Sequence, residues 1–133
     1  MTKLLLDTHI LLWSLLEPER LSDNVTRELE NPANEIWVSP ITTWEIIILA
    51  EKGRVELNDE PFVWIQNVLN SMPFKQAALN HEVAIQSRLI KLPHQDPADR
   101  FIAASAAVYD LILVTSDKNL IKAAKSYSVF TNH

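Results

Sequence analysis

The side chains best suited to chemistry are four acids far apart in the chain, Asp7, Glu45, Asp99 and Asp117. In an open parallel sheet, ligand sites form beyond the carboxyl ends of the strands, where the following helices begin. Asp7 directly follows the apolar run Lys3 to Leu6, Asp117 comes three residues after a run ending at Val114, and Asp99 falls in the first turn of a helix opened by Asp96-Pro97. Glu45 stands about a turn and a half into the helix that follows a second short strand, close enough to lean over the same rim. Carboxylates gathered there repel one another and raise one another's pKa values unless a cation sits among them. Hard oxygen ligands suit Mg²⁺ or Mn²⁺, and Mg²⁺ takes only one or two carboxylates while keeping several waters. Such a site lowers the pKa of water and stabilises the attacking and leaving oxygens of a phosphodiester, which is the chemistry of in-line hydrolysis without a covalent intermediate.

Each acid also has a plainer role. Asp7, Asp96 and Asp117 stand where a helix N-cap is wanted, and Asp99, at the third helical position, suits a capping box and the helix dipole. Capping does not exclude ligation. Glu45 lies in Trp44-Glu45-Ile46-Ile47-Ile48-Leu49, with Ile41, Ile48 and Leu49 as its neighbours at helical spacing. So apolar a helix is expected to be buried on most sides, and an ionised carboxylate within it must be paired, protonated or metal-bound. A salt bridge to Lys52 or Arg54 is the structural alternative.

The elements that must position these groups follow in order. Lys3 to Leu6 reads as a strand, and a helix from about Ile10 closes before Pro18. Ser22 caps a helix running to about Glu30, with Asn31-Pro32 as its stop. Ile36 to Val38 is a second strand, and Ser39-Pro40 opens a helix to Lys52, with serine at the cap and proline at the first helical position. Gly53, the only glycine, falls just past its end, where a left-handed backbone is commonly required. Helices are expected over 61 to 71 and from about Leu79 to Leu92, with a short link or strand near Phe74 between them. The Asp96-Pro97 helix runs to about Tyr109, Leu111 to Val114 forms a strand covered on both faces, Asp117 begins a last helix, and Val129 to Thr131 suits an edge strand. This alternation predicts a three-layer α/β/α sandwich with a mainly parallel central sheet.

The bulk properties agree with one domain spanning residues 1–133. The chain has 133 residues, nearly half of them apolar, with no biased segment, internal repeat or linker. No cysteine is present, so a disulfide, a thiolate zinc site and a cysteine nucleophile are excluded, and the cytoplasm is the expected compartment. Residues 4 to 16 are apolar, but only Lys3 precedes them and Asp7 and His9 interrupt them, which disfavours a signal peptide; no run is long enough to span a membrane. The net charge of -5 argues against nucleic-acid binding by bulk electrostatics, unless bound divalent cations locally reverse the field.

At this point the motifs resemble a known family. Leu4-Leu5-Leu6-Asp7-Thr8-His9 followed by Leu11-Leu12-Trp13, then Ser39-Pro40 with Trp44-Glu45, then Asp96-Pro97-Ala98-Asp99-Arg100, and finally Val114-Thr115-Ser116-Asp117 are similar, in this order, to the motifs of VapC-like PIN domains. The resemblance implies a PIN-type fold, Mg²⁺- or Mn²⁺-dependent endoribonuclease activity, homodimerisation, and inhibition by a cognate VapB-like antitoxin. It places Asp7, Glu45, Asp99 and Asp117 as metal-holding acids, Asp96 as an additional acid beside them, and Thr115 or Ser116 as a hydroxyl that orients the last acid. Ala98 departs from the pattern, in which the middle of the aspartate motif is usually aromatic.

Among cations, Arg88, Lys91, His94 and Arg100 surround the aspartate motif and are candidate RNA contacts, with Arg100 favoured and an ion pair to Asp96 as its alternative. His9 is a further candidate RNA contact, although a packing role suits a lone histidine better. Lys118, Lys122 and Lys125 share one face of the last helix, by default a solvated one. Of Trp13, Trp37, Trp44 and Trp64, most are expected in the core and at least one on a surface covered by a partner. Two rival readings stand beside the nuclease: a phosphoryl-transfer domain, either a receiver using Asp7, Thr115 and Lys118 or an aspartate phosphatase, and a non-catalytic binding module on a similar sheet.

Overall fold

The computed structural model describes residues 2–93 and 95–132. Five strands, β1 (Lys3–Leu6), β2 (Glu35–Val38), β3 (Lys75–Gln76), β4 (Ile112–Thr115) and β5 (Ser128–Thr131), form one sheet in the order β3-β2-β1-β4-β5. Every pairing is parallel, with Leu5 opposite Trp37 on one side and Leu113 on the other. The sheet is therefore wholly rather than mainly parallel.

Alternation along the strands divides the core in two. Leu4, Leu6, Val38 and Val114 pack with Ile10, Leu11, Val25, Ile46 and Trp64 on one face. These residues come from β1, β2 and β4 and from helices α1 (Thr8–Leu16), α2 (Asp23–Glu30), α3 (Pro40–Glu51) and α4 (Pro61–Ser71). Leu5 and Leu113 point the other way, against α5 (His81–Leu89), α6 (Pro97–Val108) and α7 (Lys118–Lys122). Side chains alternate faces at a period of two, so each central strand feeds both cores, as its unbroken apolar run requires. A one-turn 3-10 helix, Pro18–Arg20, links α1 to α2.

Gly53 stands just beyond the α3 cap residue Lys52 at φ 70, where a side chain would be strained. The α5 helix is shorter than expected, because the Asn80 side chain accepts from the Val83 amide and starts the helix at His81. The α7 helix ends at Lys122, so Lys125 lies beyond it and the expected three-lysine face does not form. The α3 helix is also less buried than its composition suggested. Only Thr42 and Ile46 are buried, while Trp44 is 50% exposed. Of the other tryptophans, Trp64 is buried and Trp13 and Trp37 are half-buried. No helix among the described residues is long and apolar enough to cross a membrane.

Candidate active site

Parallel β1 and β4 are neighbours, so the chain leaves both at the same sheet edge and starts α1 and α7 side by side. Asp7 and Asp117 cap these two helices. Asp7 accepts through Oδ1 from the amides of His9 (2.9 Å) and Ile10 (3.2 Å), and Asp117 accepts through Oδ1 from those of Asn119 (2.8 Å) and Leu120 (3.1 Å). Asp96 caps α6 in the same way, accepting from the Ala98 amide at 3.0 Å. Ala98, where the pattern departs from an aromatic, is buried.

Thr115, wholly buried at the end of β4, joins the first acid to the last. Its hydroxyl donates to Asp7 Oδ2 and accepts from the Asp117 amide at 3.0 Å. The neighbouring Ser116 instead lines the pocket. A second hydroxyl link, from Thr8 to Thr42 at 3.2 Å, ties α1 to α3 one turn before Glu45.

The result is a pocket of about 310 Å³ lined by Asp7, Glu45, Asp96, Asp99, Asp117 and Ser116, with Thr8, His9, Trp13 and Ile102 completing the wall. The predicted acids are thus brought together. Among the described residues no group of three His, Asp or Glu side chains is placed to hold a metal ion as it stands, and the pocket is open to solvent. Of the hard cations, Mg²⁺ asks least of the protein, usually one or two carboxylates with several of its own waters. Glu45 forms no ion pair with Lys52 or Arg54 among the described residues, so the expected salt-bridge alternative is absent there.

The electrostatics are those of unneutralised anions. Burial, followed by the negative charges of Asp96, Asp117, Glu45 and Asp7, pushes the Asp99 carboxyl up to about 7. Burial also raises Asp7, which is 7% exposed, against the lowering by its bonds from Thr115, Ile10 and His9. Glu45 is raised by burial, drawn back by the Thr8 hydroxyl and raised again by Asp96. The field extends to Tyr127, whose hydroxyl is pushed up to about 12 by burial and by Asp117 and Asp99. A divalent cation among these oxygens would remove the conflict. The donor set, all carboxylate with hydroxyl support, fits Mg²⁺ or Mn²⁺.

Over residues 4–126 the sequence matches the PIN domain. This chain belongs to the PIN-domain family. The PIN match covers all five acids of the pocket. Ribonuclease VapC22 of Mycobacterium tuberculosis is 34% identical over 123 residues, covering 90% of this PIN chain and 91% of that protein. Among solved structures, VapBC2 from Rickettsia felis bound to a promoter DNA fragment aligns with TM-score 0.74 at 16% identity, covering 99% of this chain and 100% of that one. DNA-bound VapBC from Salmonella typhimurium aligns with TM-score 0.71 at 20% identity, covering 98% of each chain. These two likenesses establish the PIN fold.

The cations expected around the aspartate motif need correction. Arg100 is 5% exposed, and its guanidinium donates to the carbonyls of Ser87 (2.8 Å), Arg88 (3.5 Å) and Ile90 (2.6 Å). In this PIN domain it therefore closes the end of α5 onto α6 and is not presented to RNA. Its position after Asp99 on a helix turns it away from the pocket, into the α5–α6 seam. Arg88, bonded to Gln95 Oε1 at 3.4 Å, and Lys91 are on the surface but do not line the pocket. His94 lies outside the described residues. His9 does line the pocket, its ring 5.9 Å from that of Trp13. Sequence reasoning missed Thr8, Thr42 and Trp13 as parts of this region. The available signals were the hydroxyls next to Asp7 and three residues before Glu45.

Proposed function

We propose that this PIN-domain chain is a divalent-metal-dependent endoribonuclease, the toxin of a VapBC-type pair, acting on RNA in the cytoplasm. The observation that carries the reading is the convergence of Asp7, Glu45, Asp99 and Asp117, with Asp96, on one open pocket where Asp99 is pushed up to about 7 by its neighbours' charges. These four residues would hold the ion, Mg²⁺ or Mn²⁺. When bound, it supplies Lewis acidity at the phosphodiester and lowers the pKa of water.

The chain's own residues do the positioning. Thr115 fixes Asp7 and the start of α7 together, so two of the acids keep one relative placement. The Thr8–Thr42 bond holds α3, and with it Glu45, against α1. The N-termini of α1, α6 and α7 converge on the pocket and temper the repulsion among the acids.

A receiver or phosphatase reading fits less well. Asp7 is nearly inaccessible and both its oxygens already accept hydrogen bonds, whereas an aspartyl nucleophile must present one to phosphorus. Lys118 does not line the pocket. The similarity to Ribonuclease VapC22 supports RNA as substrate, and the fold shared with VapBC complexes supports a VapB-like antitoxin as partner; homodimerisation is proposed as the assembly. The test is cleavage of RNA oligonucleotides by protein freed of copurified inhibitor. Cleavage is expected in Mg²⁺ or Mn²⁺ and not in EDTA, and its absence in both metals would overturn the assignment.

A further inference from the structure

Next to the acidic pocket lies a second depression of about 550 Å³, and the two share His9, Trp13 and Glu45 as a common wall. It is also lined by Arg20, from the 3-10 turn after α1, and Arg54, just past the end of α3. Among the described residues no arginine or lysine lines the acidic pocket itself, so in a chain of net charge -5 the adjoining groove offers two arginines that share a wall with it.

The arginines are disposed for a ligand that is anionic and flat by turns. The Arg20 guanidinium lies over the Trp13 ring, 4.3 Å from its centroid, so one face rests on the indole. Nucleobases stack on guanidinium planes as they do on aromatic rings. Its ion pair with Glu17 spans 3.4 Å, but both side chains are about half exposed, and such a pair contributes little and yields to a phosphate. Arg54 is exposed and forms no ion pair among the described residues.

Building on the nuclease reading above, we infer that this groove is the subsite for single-stranded RNA flanking the scissile phosphate. Arg54 and Arg20 take backbone phosphates, and the Trp13–Arg20 stack carries a base. Leu12, Leu16, Leu49 and Val55 also line the groove, but RNA is favoured over an apolar protein segment because the groove shares a wall with the acidic pocket and sets two arginines beside a stacking platform. This places substrate recognition on the α1–α3 side, opposite to the Arg88 and Lys91 surface.

The test is steady-state cleavage of a single-stranded oligoribonucleotide in Mn²⁺ at several salt concentrations, with folding checked by circular dichroism. Arg20→Ala and Arg54→Ala should each raise KM about tenfold, as loss of a charge-assisted contact implies, with most of kcat retained. Each should lower the slope of log KM against log salt by about 0.7, the value for one phosphate contact on a single strand. Arg20→Lys should keep the slope but not the affinity, since it keeps the charge and loses the plane. Lys122→Ala, exposed on α7, controls for loss of a cation elsewhere and should change neither quantity. Unchanged KM and slope in both arginine variants of an active enzyme would overturn the subsite while leaving the nuclease assignment intact. Unchanged KM accompanied by escape from a protein inhibitor would overturn it in favour of a protein-docking groove. A wild-type protein that cleaves no RNA removes the assignment and this subsite together.

Discussion

Replacing Asp99 by asparagine should make the metal-free protein more stable while abolishing its activity. Asp99 has its carboxyl pushed from the ordinary 3.8 up to about 7 in the folded state. The folded protein therefore holds a proton that the unfolded chain releases, and the associated stability is complete below about pH 4 and lost as pH rises through about 7. At face value the shift corresponds to about 4 kcal/mol, but the side chain is only partly buried, and solvent screening reduces this to about 1–2 kcal/mol. Asn has the same shape without the charge. In EDTA at pH 8, Asp99→Asn should thus exceed the parent by about 1–2 kcal/mol, or about 4–8 °C in Tm for a domain of this size. As pH falls from 8 towards 4 the two should converge, the gap being already narrower at pH 5. Saturating Mg²⁺ or Mn²⁺ should reverse the order, because an ion at about one hundred times its Kd adds about 2.7 kcal/mol to a protein that can hold it. Thermal and urea unfolding followed by circular dichroism, with and without metal across pH 5 to 8, measure all of this. A variant no more stable than its parent at pH 8 in EDTA, or one stabilised equally by metal, would refute the electrostatic reasoning.

Asp7→Asn should reduce RNA cleavage by at least about a hundredfold with the fold preserved, since the amide keeps an oxygen for the α1 cap and loses the charge; cleavage within about twofold of wild type would count against the site. Thr115→Val keeps the shape of a buried residue but removes both its bonds, so the metal concentration for half-maximal cleavage should rise about 10–100-fold and Thr115→Ser should restore it, as read from metal titrations of activity. Arg100→Lys cannot reproduce the fork that reaches the Ser87, Arg88 and Ile90 carbonyls, and should cost about 2–4 kcal/mol in urea unfolding without changing the salt dependence of RNA cleavage.

The order of elements was legible because local signals and periodicity agree. Ser39-Pro40, Asp96-Pro97 and Gly53 mark helix ends through backbone chemistry that acts within a few residues, and the apolar runs at β1 and β4 have no other use than a sheet covered on both faces. What depends on tertiary geometry was less legible. The apolar content of α3 predicted burial, but Trp44 faces solvent and only Thr42 and Ile46 are buried. The charge of Arg100 predicted a surface role, but burial with three carbonyl partners was invisible in sequence because those partners, on and just beyond α5, are distant and carry no side-chain signature. The acids could be placed on one rim from strand order alone. The resemblance pointed to Thr115 or Ser116 as a hydroxyl beside the last acid, but the bond of Thr115 to Asp7 appears only once β1 lies beside β4.

Under the proposed function capping and ligation do not compete, because the same side chains serve both. Asp7, Asp96 and Asp117 each pin the first turn of a helix through Oδ1, and these three helices begin around one pocket. Each cap holds its carboxylate at a fixed angle, and each helix N-terminus offsets part of the charge it brings. Asp99, in the first turn of α6, and Glu45, in the second turn of α3, are not the cap residues of their helices. Burial and their neighbours' charges accordingly raise both. Asp7 is raised by burial as well, despite its cap, so capping alone does not offset the cost of gathering these acids without a cation. The raised acids should make folding stability sensitive to divalent metal, so that an alanine at Asp117 weakens the helix start while a neutral residue at Asp99 relieves the repulsion.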